Sequence, residues 1–362
     1  MSGVTDRSGA DRCPGVLRPF SADDGAIIRV RIPGGRITAQ TLAGLSAIAA
    51  EFGAPLLQLT SRGNIQLRGL PDPLPPELTS RIADLGLLPS PTHERVRNIL
   101  AAPLAPQLTP LVTELDAGLR ADHELAGLPG RFLWAISDAT GAILSEHFDV
   151  AFQQVSDDSG LVLVGNHAVP VSLADAVPTM LDRARRFLAH RGDERTWNVR
   201  DLPADSPVFA GMSPNAVAPA PPLLPGPVGP DLVVGVPLGM VRTSQVAGLT
   251  SLGDELVLTP WRSFVVPGGA FLAPILRSLG LATNPDSPWA RVSACIGAPY
   301  CRRTDVHTLD LATAASKHIH GPGPKVHVVG CERRCGEPST DHLTIVAPSG
   351  LDDVLTAIGI PT

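Results

Sequence analysis

This sequence is poor in lysine and in aromatic residues. Lys317 and Lys325 are the only lysines among 29 basic residues, and Phe, Trp and Tyr together make up 4% of the chain. With 35 Gly and 37 Pro, this bias reads as GC-rich codon usage, so function attaches to particular arginines and not to arginine as a class. A net charge of -6 excludes a general pull on nucleic acid, which needs an excess of cations. No apolar run approaches the roughly 18 residues of a membrane span. The opening MSGVTDRSGADRC is too polar for a secretory signal. The expectation is a cytoplasmic protein with no membrane contact. Five cysteines, odd in number and sparse, exclude a disulfide scaffold. A dinucleotide fingerprint is missing as well: GPGPKVHVVG (321–330) lacks the third glycine and follows no clear strand. Any electrons the protein uses must therefore come from outside.

What is present is a chain of 362 residues, 44% hydrophobic, which at about 150 residues per domain makes two to three domains. Its most informative feature is a weak internal repeat. IIRVRIPGGRITAQTLAGLSAIAAEFGAPLLQLTSRGNIQLRGL (27–70) predicts a strand, a Pro33-Gly34-Gly35 turn, a helix over 39–51 and two short strands between Leu56 and Leu67. VVGVPLGMVRTSQVAGLTSLGDELVLTPWRSFVVPG (233–268) repeats the order, with Leu258-Thr259 matching Leu59-Thr60. Such duplication implies two halves about a pseudo-twofold axis, with a cleft between them. Between the halves, residues 203–230 are so dense in proline that they read as an extended surface linker. SLADAVPTMLDRARRFLAH (172–190) reads as a capped amphipathic helix whose regular part starts late, after Pro178. RFLWAISD (131–138) and LVLVGN (161–166) read as strands.

The chemistry concentrates near the carboxyl terminus, in Cys295-x5-Cys301 and Cys331-x3-Cys335, separated by 29 residues. A five-residue gap fits zinc knuckles poorly. A cubane iron–sulfur cluster needs four thiolates at separated corners, which a longer loop and a tight turn can supply. Gly297, Pro299, Gly330 and Gly336 provide the turns. Zinc and unliganded thiols stay open on spacing alone. Cys13, the fifth cysteine, reads as a small buried apolar residue.

These cysteines, the duplicated unit, the stretch R-x-R-x-P-G-G at 29–35 and L-T-S-R-G-N-I-Q-L-R at 59–68 resemble the sirohaem and iron–sulfur nitrite and sulfite reductase superfamily. The resemblance covers residues 25–135 and 230–340. It implies an α+β, pseudo-twofold duplicated fold. Ferredoxin-like half-domains would occupy 10–75 and 231–285, and iron–sulfur and tetrapyrrole-binding α/β domains 80–202 and a shortened 286–362. Within the superfamily, CPGVLRPFSADDGAIIRVRIPGG and LTPWRSFVVPG are most similar to the precorrin-3B synthases of aerobic cobalamin biosynthesis. That branch implies a monooxygenase acting on precorrin-3A with dioxygen, a [4Fe-4S] cluster on Cys295, Cys301, Cys331 and Cys335, and a ferredoxin or separate reductase as electron donor. Cys335 would be the thiolate nearest the macrocycle. Whether a mononuclear iron sits beside the cluster stays open. The alternative is a sirohaem-dependent nitrite or sulfite reductase. A third reading is a noncatalytic iron–sulfur protein that binds tetrapyrroles or carries electrons. A pseudo-symmetric chain builds both sides of its own cleft, so a monomer is expected.

The resemblance also carries over Arg62, Arg97 and Arg131 as cations for tetrapyrrole carboxylates, a role that suits the planar, permanently charged guanidinium. Asn64 belongs to the same motif as Arg62. Arg29 and Arg31 alternate along one strand, so both face either this cleft or solvent. Arg302, Arg303, Arg333 and Arg334 flank the cysteines. One departure separates the readings. The oxyanion reductases carry two lysines, two apart, after a Leu-Pro motif, where this chain has Arg131 and Leu133. Losing the second cation disfavours multi-electron oxyanion reduction, and an apolar Leu133 would suit a macrocycle edge and dioxygen.

Overall fold

The computed structural model describes residues 9, 11–215, 218–321, 323–338 and 341–360. Most of the polar opening segment, Ala216 and Val217 of the proline-rich stretch, and the chain's last two residues lie outside the described residues. The first half-domain runs β1 (Phe20–Ala22), β2 (Gly25–Val30), β3 (Arg36–Thr38), α1 (Ala39–Phe52), β4 (Leu56–Leu59), β5 (Ile65–Leu70) and α2 (Pro76–Asp84). An α/β domain follows: β6 (Ile99–Ala101), α3 (Thr109–Ala121), β7 (Trp134–Ser137), β8 (Val150–Gln154), β9 (Ser159–Val164), β10 (His167–Ser172) and α4 (Leu173–His190). Strand β11 (Ser213–Pro214) returns to the sheet of that α/β domain, and the second half-domain comprises β12 (Gly226–Val228), β13 (Asp231–Gly235), β14 (Met240–Arg242), α5 (Thr243–Thr250), β15 (Glu255–Leu258), β16 (Ser263–Val266) and α6 (Ala273–Ser278). A short α/β domain closes the chain with β17 (Val292–Ala294), α7 (Thr308–Ser316), β18 (Val326–Val329), β19 (Leu343–Val346) and α8 (Leu351–Ala357). No helix among the described residues is long and apolar enough to cross a membrane.

The repeat is real, but its two copies are not separate units. The first sheet has the order β1-β2-β5-β4-β14 and the second β12-β13-β16-β15-β3, so each half donates one strand to the other's sheet. Met240, Val241 and Arg242 pair with Gln58, Leu57 and Leu56, while Arg36, Ile37 and Thr38 pair with Val257, Leu256 and Glu255. One apolar core therefore spans both halves, joining Ile28, Val30, Leu57 and Leu59 to Val234, Leu256, Leu258 and Phe264. Segments 10–75 and 231–285 thus share one core, each sheet including a strand from the other segment.

Two further expectations change. The proline-rich stretch is not only a wrapping linker, because Ser213–Pro214 and Gly226–Val228 add edge strands to the third and second sheets. Both are sheet-edge positions, where proline's missing N–H is tolerated. Helix α4 starts directly after Ser172, whose hydroxyl accepts from Asp175 N–H, and runs on through Pro178. Capping and the buried stripe of Ala176, Val177, Met180, Ala184 and Phe187 outweigh the hydrogen bond that proline removes.

In the third sheet β6, β7 and β8 run parallel, and in the fourth β17, β18 and β19 do the same. Asp149, 1% exposed, ties the third sheet to the segment after α4. Its carboxylate accepts from Leu133 N–H (2.8 Å), Val199 N–H (2.7 Å) and Asn198 Nδ2 (3.0 Å).

Two stability predictions follow from these contacts. Gly35 sits at φ +77° where the turn before β3 crosses to the other half, and a Cβ there would collide with the Leu258 carbonyl oxygen. Gly35→Ala should cost roughly 2–4 kcal/mol in denaturant unfolding; a loss under about 0.5 kcal/mol would refute this account of the crossing. Burial, opposed by its three donors and by Arg62, lifts the Asp149 carboxyl to about 6. A pKa raised on folding contributes stability that is complete below the unfolded value and lost as pH rises through the folded one. The unfolding free energy of the wild type relative to Asp149→Asn should thus fall by roughly 3 kcal/mol between about pH 4 and pH 7. A flat difference would show that the buried carboxyl titrates normally.

Candidate functional site: a cysteine cavity beside an arginine cavity

Parallel strands lying side by side present their following loops at one edge of the sheet, which is how two distant cysteine pairs meet. Cys295 directly follows β17 and its N–H extends the ladder to Val328 O (3.0 Å). Cys331 follows β18 and Gly330, whose N–H points at Cys295 Sγ (3.3 Å). Thr308, at the start of α7, donates to Cys295 O (2.7 Å) and lies 3.7 Å from its Sγ. Glycine is required at 330 because a Cβ would strike Thr304, and at 297 because φ is +58° and a Cβ would strike Val306 and Thr308. Cys295, Cys301, Cys331 and Cys335 all line one cavity of about 300 Å³, together with Gln58, Met240, Arg68, Arg262, Arg303 and Arg333.

The metal-binding side chains of this cavity are four thiols and the carboxylates of Asp23 and Asp24, the latter two taken up by Arg303 and Arg68. Among the described residues no three His, Cys, Asp or Glu side chains come close enough to hold a single metal ion. Burial pushes the Cys335 thiol up; Arg333 opposes this, and the other three cysteines add to it. Four cysteine sulfurs around one cavity would suit a multi-atom group such as an iron–sulfur cluster, which thiolates hold. On donor chemistry the residues fit that group.

Sequence reasoning missed the support behind Cys335. His327 on β18 is fully buried; its Nε2 faces Cys335 O (3.2 Å) and its Nδ1 faces Ser293 Oγ (2.9 Å). A carbonyl only accepts, so Nε2 carries the proton, while the one Ser293 hydroxyl proton has both Nδ1 and Val326 O (3.1 Å) within reach. Burial holds this imidazole below its usual pKa, in keeping with that neutral form. No spacing rule would have singled out His327, because its partner is a main-chain carbonyl. Arg68 and Arg262 also went unflagged, and both line the cysteine cavity.

Beyond Phe20 and Ile27, which line both spaces, lies a second cavity of about 430 Å³. It holds Arg12, Arg29, Arg62 and Arg131 with Cys13, Thr60 and Gln66. Arg62 donates to Arg131 O. Arg131, half exposed, pairs with buried Asp11 (2.9 Å) and lies over the Trp197 ring (5.0 Å). Burial depresses the Arg62 guanidinium, with Cys13 and Asp149 opposing and Arg29 and Arg131 reinforcing the shift.

The other residues carried over from the motifs are placed differently. Asn64 is buried beneath the turn, accepting from Ile32 N–H (3.2 Å) and donating to Asn98 (3.0 Å), so it shapes the backbone and does not line the cavity. Arg31, 2% exposed, is taken up by Pro14 O, Arg29 O, Arg95 O and Asn98 Oδ1. Burial drives it down to about 10. Arg97 makes a two-point ion pair with Asp116 (2.6 and 3.0 Å) and lines a different cavity. Leu133 is packed in an apolar cluster with Leu100, Ala151 and Leu163, because its strand turns that face into the sheet's core. Cys13 is buried as expected, yet its surroundings are polar: Arg29 Nη1 donates to its Sγ at 3.0 Å and Arg31 Nη2 at 3.6 Å. Of the flanking arginines, Arg303 pairs with Asp23, and Arg334 lies 3.4 Å from Glu332.

Comparisons with known proteins agree with this architecture. A family model described as the nitrite/sulfite reductase ferredoxin-like half domain matches residues 21–85, so the first half-domain extends through α2. A precorrin-3B synthase from a Sinorhizobium species is 26% identical over 97% of this chain and 84% of its own. A ferredoxin–nitrite reductase from Synechococcus elongatus is 25% identical over 86% of this chain and 74% of its own. The solved structure of the NirA protein of Mycobacterium tuberculosis superposes with a TM-score of 0.65 at 22% identity, covering 84% of this chain and 68% of that one; this likeness is one of fold. The chain thus carries a nitrite/sulfite reductase ferredoxin-like half domain within a nitrite reductase-like fold.

Proposed function

We propose that this chain is an oxidoreductase of the precorrin-3B synthase type: an oxygen-dependent monooxygenase that hydroxylates precorrin-3A at its bridging C20 carbon, a side-chain carboxyl group then closing a γ-lactone by adding across an unsaturated ring bond, with no group lost. The observation that carries the reading is the adjacency of the two cavities, four thiols in one and four arginines in the other, sharing only Phe20 and Ile27. The full-length similarity to a precorrin-3B synthase supports the substrate class.

In this reading Cys295, Cys301, Cys331 and Cys335 hold a [4Fe-4S] cluster, which when bound passes electrons from an external ferredoxin or reductase. His327 holds the Cys335 loop through its carbonyl, and Gly330 N–H supports Cys295 sulfur. Arg29, Arg62 and Arg131 bind substrate carboxylates, with Arg12 beside them. Hydroxylation consumes one dioxygen, two electrons and two protons; one oxygen atom enters the substrate and the other leaves as water. The alternative, sirohaem-dependent nitrite or sulfite reduction, has support from fold and from one relative. Against it, Leu133 supplies no cation or proton and its side chain lies within an apolar cluster.

Anaerobic purification with iron, sulfide and sirohaem analysis decides between them. The proposal expects iron and sulfide in about equal amounts, no extractable sirohaem, and oxygen uptake driven by precorrin-3A. Bound sirohaem with viologen-driven nitrite or sulfite reduction would establish the alternative, and zinc or a colourless protein would overturn both. Cys335→Ser should abolish turnover and alter the cluster spectrum. Arg62→Gln should raise the KM for precorrin-3A roughly 10- to 100-fold, the worth of one charge-assisted hydrogen bond, while leaving iron and sulfide content unchanged.

A further inference from the structure

The duplicated fold contains a second cavity at the place that corresponds, in the first half, to the cysteine cavity. The correspondence can be followed residue by residue. Ala102 continues β6 with its N–H on Ile136 O of β7 (2.9 Å), as Cys295 continues β17 with its N–H on Val328 O of β18. Thr109 opens α3 as Thr308 opens α7. The exchanged pair Arg36–Val257 stands where Met240–Gln58 stands in the other half. Both members of each pair line their respective cavities.

No thiol lines this counterpart, whose volume is about 260 Å³. Its polar lining is Arg36, Arg97, Arg120, Asp116, Thr109 and Thr113. Arg97 is 6% exposed and spends Nε and Nη2 on Asp116, but its buried Nη1 has no hydrogen-bond partner among the described residues. A buried donor without an acceptor is costly. The local charge is also unbalanced: Arg97 and Arg120 share the single carboxylate of Asp116, and Arg36 pairs with Glu255. Three cations against two anions leave an excess of one positive charge.

We infer that this cavity binds a small oxyanion, its charge met by the guanidinium groups of Arg36, Arg97 and Arg120. At about 260 Å³ the space falls below the usual range for drug-sized ligands, which excludes an intact tetrapyrrole and admits inorganic phosphate or a short carboxylate. The inference depends on the geometry of the first half and not on the proposed reaction.

Calorimetric titration of the full chain with inorganic phosphate, and separately with malonate, tests it at constant low ionic strength. An Arg62→Gln/Arg131→Gln background weakens the larger arginine cavity as a competing anion site. The expected result is saturable binding at about one site per chain, with a Kd near or below about 1 mM; whichever anion binds tighter names the ligand class. Thr113, exposed at the cavity wall, donates only to the Thr109 carbonyl (3.1 Å), so Thr113→Trp should block the space without disturbing a buried group. It should weaken binding at least 10-fold and leave the ligand-free melting temperature unchanged. Arg97→Lys should weaken binding comparably. Cys335→Ser should leave it intact, which keeps this result separate from the fate of the cysteine cavity. No saturable binding of either anion, or binding indifferent to Thr113→Trp, would overturn the inference.

Discussion

Main-chain hydrogen bonds across two exchanged strands are the constraint on which the rest of this molecule depends. Strand β14 lies on β4 and strand β3 lies on β15, so each sheet has its edge covered by the opposite half. An edge strand left bare would offer unpaired N–H and C=O groups to solvent or to another chain. The exchange replaces two such edges with three-residue strands from the opposite half and brings α1 and α5 into a common core. The turns leading into the exchanged strands show how tight the crossing is. Gly34 and Gly35 in one half, and Leu238 and Gly239 in the other, all take positive φ. A leucine in that conformation carries a steric cost that the surrounding packing must meet.

The same exchange places the chemistry. Met240 of β14 and Gln58 of β4, paired across the join, form part of the cysteine cavity wall. The cysteines come from the carboxyl ends of the two adjacent parallel strands β17 and β18. The two halves have diverged on a shared plan: where the second copy has Cys295 and a short helix α7, the first has Ala102 and the longer helix α3 carrying Asp116. The second α/β domain is pared down to three parallel strands, whereas the first extends its sheet with β9, β10 and β11. Shortening the second domain leaves the cysteine loops half-exposed or exposed while keeping their strand anchors buried.

Much of this was legible in the residues. The repeat, the helix over 39–51 and the strand pairs all follow from apolar periodicity and turn chemistry, whereas the spacing of the cysteines left a cluster, zinc and unliganded thiols open. The strands β3 and β14 were not legible. Each has three residues, too few for a period, and each pairs with a segment some two hundred residues away. Arg29, Arg62 and Arg131 fell in one cavity, whereas Arg31, Arg97 and Asn64 did not. The difference lies in tertiary partners: Asp116 waits one helix further on for Arg97, and Arg31 and Asn64 both meet Asn98. Strand alternation tells which face a side chain takes, not whether a carboxylate or carbonyl already occupies that face. Cys13 failed as a small apolar residue for the same reason, since two guanidinium groups reach it from β2 and the segment after it.

The arginine cavity and its cysteine-free neighbour share one electrostatic logic. Guanidinium groups crowded into a partly buried space repel one another and lose hydration, as the depression of Arg62 by burial, Arg29 and Arg131 shows. The fold offsets part of that cost with buried acceptors: Asp11 for Arg131, the Cys13 sulfur for Arg29, and main-chain carbonyls for Arg31. Neutral and main-chain acceptors satisfy donors without cancelling charge. A carboxylate-rich ligand entering such a space therefore gains twice, through new charge-assisted hydrogen bonds and through relief of repulsion already built into the folded chain. Chains that satisfied every arginine with its own carboxylate would be more stable and would bind polyanions poorly.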